Sequence, residues 1–342
     1  MLKVIMEATG GNGKIKLFFD LSYHGSKEDA RRLEPILRDF KPHVVCFEQT
    51  LSSRESARRQ QSLITSTRFG VTGDHPQHNF VREMHRLFRK HNIRRAFVLE
   101  RASHDVSNEI GKKQKQSAEL GDRAIALFFN GNSTAAIKVF RKSVELDALT
   151  VRKREHSAKR VISNLYAELI KEFPELAHEG EIRVAVKYGV MHTALYKHAL
   201  QSGFKDVRRI VRPTVFDLES AHVRSVLFGL NPPQTDQDTA RLIVSSLIMS
   251  QGNRLGVSPD RMDRYSNAIA LGVTLAQFRR ISKKLAEKQA PTIVSAFRSE
   301  GIPFPETKKE INDFLSKRKQ LVPENWRERI AEKLKLIGLK RR

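Results

Sequence analysis

Two histidines and two glutamates follow short apolar runs in this chain. His24 comes shortly after Lys14–Phe19 (KIKLFF), and Glu48 closes the run His43–Phe47 (HVVCF). Glu100 closes Arg94–Leu99 (RRAFVL), and His192 follows Ile182–Tyr188 (IRVAVKY). Two imidazoles and a carboxylate brought to one crevice can do two kinds of chemistry. Without a metal, His24 or His192 acts as a general base near neutral pH. With one, His24, Glu48 and His192 suit a divalent zinc, manganese, cobalt or iron ion. Such an ion lowers the pKa of bound water and polarises a carbonyl.

The runs must be strands of one sheet for these residues to meet. Apolar stretches alternate with helical spacing such as Leu33, Ile36, Leu37 and Phe40, then Phe80, Met84, Leu87 and Phe88. Strand–helix alternation predicts a mostly parallel α/β sheet with helices on both faces. Functional groups in such sheets gather at the strand carboxyl ends. Val207–Val211 is read as a further strand. Residues 110–150 read as an inserted helical pair, broken at Asn130-Gly131-Asn132-Ser133, and Val151 to about Phe173 as a long helix closed by Pro174. Beyond Asn231-Pro232-Pro233 only helices and loops are expected. The predicted division is 1–230, the α/β domain, and 231–342, a smaller all-helical domain.

Other polar residues have plainer readings. Glu48 equally suits an ion pair with an arginine, and Glu100 a local pair with Arg101 near His104. Asp20 could reach the crevice of His24. The run Asp74-His75-Pro76-Gln77-His78 reads as a solvated loop, since proline and the spacing make a poor metal clamp. Cys46 reads as a buried strand residue.

The 342 residues are 39% hydrophobic and 29% charged, which suits a globular chain and excludes a fibrous or wholly disordered one. No apolar run approaches the ~20 residues of a membrane span. The N-terminus does not read as a signal peptide. One cysteine excludes an internal disulfide and suits a reducing, cytoplasmic setting. The 62 basic against 38 acidic residues give +24, spread along the chain. That balance attracts polyanions, so nucleic acid is the expected alternative partner. Ala268, Gly272, Phe278 and Ile281 have the spacing of a helix-turn-helix, with Arg279 and Arg280 beside it.

Four segments occur in an order that resembles the TraB/TIKI superfamily, which includes erythromycin-esterase-like and ChaN-like branches. They are Leu21–His24, Lys41–Glu48 (KPHVVCFE), Arg154–Lys159 (REHSAK) and Gly189-Val190-Met191-His192. The resemblance covers about residues 14–215. The family pattern is a GxxH motif after the first strand, a strand-closing glutamate, a helical arginine and a second GxxH. It implies an α/β sheet covered on both faces and, for some members, metal-dependent hydrolytic or proteolytic activity. Gly189–His192 matches the second motif in full. Leu21 stands where the first motif has glycine, leaving His24. The resemblance thus implies a metal-dependent, protease- or esterase-like hydrolase. Its catalytic residues would be Glu48 and Arg154, with Arg154 as the anion contact, and its metal ligands His24, Glu48 and His192. The rival expectation is a catalytically silent α/β domain in a protein that binds nucleic acid through its C-terminal helices.

Overall fold

A computed structural model describes residues 11–22, 27–48, 61, 62, 65, 76–101, 104–189, 192–211, 235–257 and 259–317. Five strands form one all-parallel sheet: β1 (Ile15–Ser22), β2 (Val44–Phe47), β3 (Ala96–Val98), β4 (Ile182–Gly189) and β5 (Asp206–Val211). Their spatial order is β3-β2-β4-β1-β5. A sheet covered on both sides needs strands that are apolar throughout. β2 meets this, with all four residues buried.

Successive side chains point to opposite faces, so each strand feeds two cores. One face carries Phe19, Leu21, Cys46, Val184, Val186 and Tyr188. It packs against α5 (Ser133–Ser163) through Ala158, Val161 and Ile162, α6 (Leu165–Glu172) through Leu165 and Leu169, and α7 (Thr193–Leu200) through Leu195 and Ala199. The other face carries Val45, Phe47, Val98 and Ala185. It is covered by α1 (Lys27–Arg32), α2 (Glu34–Phe40) and α3 (Pro76–Lys90), which contribute Ala30, Ile36, Leu37, Met84, Leu87 and Phe88. The predicted α/β class, with helices on both faces, is what the chain adopts.

Two helix boundaries differ from the sequence reading. The single helix expected from about Ser26 to Phe40 is two, α1 and α2, because Pro35 lacks the N–H a continuing turn needs and instead sits in the first turn of α2. The helix expected from Val151 begins at Ser133 and stops at Ser163, after which α6 starts. No glycine or proline interrupts residues 133–163, so nothing breaks the helix near 150.

By contact the chain forms two compact units, one of residues 1–115 and 147–214, the other of 116–146 and 215–342. The second unit includes parts of α4 (His104–Phe129) and α5, with α8 (Asp236–Arg254), α9 (Pro259–Leu271), α10 (Leu275–Ala286), α11 (Ile293–Arg298) and α12 (Lys308–Lys317). Much of the helical pair near 110–150 therefore groups with the C-terminal helices. Phe128 stacks on Phe278 at 4.7 Å between centroids, and Ser282 Oγ donates to the Phe128 carbonyl at 2.6 Å. The connection between α4 and α5 turns at Gly131, whose φ of 82° favours glycine. Among the described residues, no helix is long and apolar enough to cross a membrane.

Candidate functional site at the strand carboxyl ends

Strand order reverses between β2 and β4. The chain leaves β2 toward β3 on one side and leaves β4 toward β5 on the other. That reversal makes the β2/β4 boundary the topological switch point of the sheet, and open α/β sheets bind ligands at the strand carboxyl ends there. Glu48 is the first residue after β2, and its backbone N–H continues the ladder to the Lys187 carbonyl at 3.0 Å. That places Glu48 at the carboxyl end of β2, beside β4.

Glu48 joins three elements. Its Oε2 accepts from the Gly189 backbone N–H at 2.8 Å, at the end of β4. Its Oε1 accepts from Arg154 Nη2 at 2.6 Å and lies 3.1 Å from His192 Nε2, just before α7. Arg154 also grips Glu100, with Nε to Oε2 at 2.9 Å and Nη2 to Oε1 at 3.0 Å. α5 brings Arg154 here because Ala158, Val161 and Ile162 dock the helix on the sheet. Arg154 and Glu155 lie one turn further toward its N-terminus on the same side. His192 Nδ1 is 3.4 Å from Glu155 Oε1, an ion-pair contact without hydrogen-bond geometry. The Tyr188 ring meets the His192 ring edge-on at 5.5 Å.

The cluster is deeply set. The side chains of Glu100 and His192 are fully buried, while Glu48 and Arg154 keep 10% and 13% exposure and mark its open side. Burial works against the charge of His192, but Glu48 and Glu155 outweigh it and hold its pKa up to about 9. Burial pushes the Glu100 carboxyl up, and repulsion from Glu48 adds to this against the pull of Arg154. Burial also opposes the Arg154 charge, yet Glu100 and Glu48 raise its pKa further. Burial and the two glutamates push the Tyr188 phenol well up, so it keeps its proton.

Glu48, Glu100 and His192 each offer a ligand atom, all within 4.8 Å of one another, so the group could hold a metal ion. Tyr188 Oη is buried without a hydrogen-bond partner among the described residues, and His192 Nδ1 and Glu155 Oε1 have only their 3.4 Å contact with each other. Buried polar atoms are normally satisfied, so such a concentration fits a site that takes up water or an ion.

Of the expected residues, Glu48, Arg154 and His192 come together, and His24 lies outside the described residues. Arg152 is exposed, so Arg154 is the arginine that turns inward. Arg154 is paired with carboxylates rather than open to an anion. Glu100, read as the local partner of Arg101, reaches across to α5. Arg101 instead lies over the Phe97 ring at 4.0 Å and donates to Gln61 Oε1 at 3.2 Å and Glu172 Oε2 at 3.4 Å. Asp20 pairs with Lys187 at 3.0 Å, both fully buried, and strand alternation puts them with Phe18 and Ala185 on the opposite face from Tyr188. Cys46 is buried, and burial pushes its thiol up, which makes it inert. His75 and the side chains of His78 and His104 lie outside the described residues. Glu155 and Tyr188 were not singled out from sequence. Their signal was adjacency, since one follows Arg154 and the other precedes Gly189.

Comparison with known proteins finds no matching family model, no matching curated protein and no matching solved structure. The likeness to TraB/TIKI proteins rests on the four quoted segments.

Proposed function

We propose that the α/β unit is a metal-dependent hydrolase of the TraB/TIKI type, acting on an ester or amide carbonyl at the β2/β4 switch point. One observation carries this reading: three ligand atoms from Glu48, Glu100 and His192 converge within 4.8 Å of one another, beside the buried Tyr188 hydroxyl, which has no hydrogen-bond partner among the described residues. Glu48, Glu100 and His192 would hold the ion. A set of two carboxylates and one imidazole suits manganese, iron, cobalt or zinc. When bound, the ion supplies Lewis-acid polarisation and an activated water.

The chain's own residues prepare this role. The Gly189 N–H and the Arg154 guanidinium fix both oxygens of Glu48. Arg154 also offsets the repulsion between Glu48 and Glu100, which could not otherwise sit together below the surface. Glu155 steers the His192 ring from its Nδ1 side, as partners of metal-binding histidines do. Tyr188 keeps its phenolic proton and offers it as a donor inside the site. His192 must surrender its Nε2 proton before it can act as a ligand. A single buried cysteine suits a reducing, cytoplasmic setting for this chemistry.

The test is hydrolysis of a panel of aryl esters and peptide amides by the chain supplied with manganese or zinc. Turnover should fall in Glu48→Gln and in His192→Gln by more than the ~10–100-fold that losing a ligand's outer-shell partner costs. Turnover that survives both substitutions would place the activity elsewhere.

A further inference from the structure

We propose that α8, α9 and α10 form a duplex-DNA docking unit, with the outer face of α10 entering the major groove. The inference is independent of the strand-end site.

The unit is two helices joined by a three-residue turn. α9 ends at Leu271, and only Gly272, Val273 and Thr274 separate it from α10. The turn is tight, with Gly272 N–H donating to the Ile269 carbonyl at 3.0 Å and Val273 N–H to the Ala270 carbonyl at 3.1 Å. Val273 is fully buried, and so are Phe278 and Ile281 on the inner side of α10. Thr274 caps α10 and forms a reciprocal capping box with Gln277. α8 clamps the turn from outside it. Gln237 Nε2 donates to the Val273 carbonyl at 2.5 Å, and its Oε1 accepts from Leu275 N–H at 2.6 Å. Arg241 Nε reaches the same carbonyl at 3.3 Å. One amide from α8 thus ties the end of the turn to the start of α10, which fixes the direction in which α10 leaves.

The outer face of α10 has the residues a groove-reading helix needs. Ala276, Arg279, Arg280 and Lys283 are exposed and follow helical spacing, so they share one side. No acidic residue lies within Leu275–Ala286. Ala276, near the N-terminus, leaves room for close approach, and N-terminal residues of the second helix are those that meet base edges. Arg280 is held by Glu300 at 2.8 Å, and Lys284 by the same carboxylate at 2.6 Å. Lys283 is 3.7 Å from Glu287, and both are exposed, so the pair is weak. Arg279 and Lys283 are left to project. α12 covers α9 elsewhere, through Tyr265 against Phe314 at 4.8 Å.

Charge and shape together select the partner. A cationic helix face on a chain of net charge +24 is complementary to a phosphate backbone. The major groove of B-form DNA admits a helix, whereas that of A-form RNA is too narrow and deep for side chains to read. The fit is therefore to DNA duplex.

The experiment uses the full chain and a fluorescent mixed-sequence duplex of about 24 base pairs, titrated across a salt series. Three proteins are compared: wild type, Arg279→Glu with Lys283→Glu, and a control with the same charge change at exposed Lys138 and Lys142 on α5. The α10 variant should bind at least about tenfold more weakly near 100 mM salt, with a log–log salt slope shallower by about 2. The control should stay within about threefold of wild type. Equal losses in the two variants, no duplex binding by wild type, or equal binding of duplex RNA would each overturn the proposal.

Discussion

In the α/β unit, Arg154, Glu48, Glu100 and His192 turn their charges toward one another below the surface, whereas α10 of the helical unit turns Arg279 and Lys283 outward. The two regions draw on the same excess of basic residues. Where a guanidinium is buried, its partners must be buried with it, and the group becomes a structural tie. Where the cations are exposed, they add little to folding and are free to meet an external polyanion. The difference separates substitutions that should unfold the chain from those that should change only what it binds.

The largest effect is expected at Arg154. Arg154→Met leaves Glu48 and Glu100 buried without their shared cation, and loss of one partner of a buried pair costs about 3–5 kcal/mol. Urea denaturation followed by circular dichroism measures this directly. A shift below about 1 kcal/mol, the size of a surface pair, would erase the contrast between the units.

The next effect depends on pH. Folding raises the His192 pKa from 6.5 to about 9. A group whose pKa is raised in the folded state contributes stability in full below the unfolded value, and that stability is lost as pH rises through the folded value. Wild type should therefore lose about 3 kcal/mol relative to His192→Gln between roughly pH 6.5 and 9. Denaturation midpoints of both proteins across that window read it out, and parallel curves would show that His192 is not held as an imidazolium.

Smaller effects belong to the helical unit. Thr274→Ala removes the cap of α10 and should cost about 1 kcal/mol. Amide exchange in the first turn of α10 should rise before the rest of the unit responds. Smallest of all is the paired Arg279→Glu, Lys283→Glu change, expected to stay within about 0.5 kcal/mol of wild type. A larger loss of stability would mean that this face is structural and not a docking surface.

The strands were legible as short runs rich in apolar residues, and all five lie where those runs stand. Their spatial order was not. That β4 inserts between β2 and β1 depends on pairing across more than 130 residues, which no local pattern encodes. The same limit explains Glu100. Its sequence neighbour Arg101 suggested a local pair, but Arg154, 54 residues away, takes the carboxylate while Arg101 turns to Phe97 and Glu172. Glu48 and His192 were readable as strand-end groups, yet their 3.1 Å contact follows from the β2–β4 pairing alone. The helical pair near 110–150 was readable as helices, and its grouping with α8–α12 rests on contacts such as Phe128 with Phe278.

The central claim is that Glu48, Glu100 and His192 form one ion-binding group in which His192 exchanges its proton for the metal. Titration of manganese or zinc into the full chain from about pH 6.5 to 8.5 tests it most directly. The account predicts one ion per chain, with affinity rising about tenfold per pH unit as the ligand proton is released, and no such binding in Glu100→Gln or His192→Gln. Affinity that is flat with pH, or that persists in both variants, would contradict it.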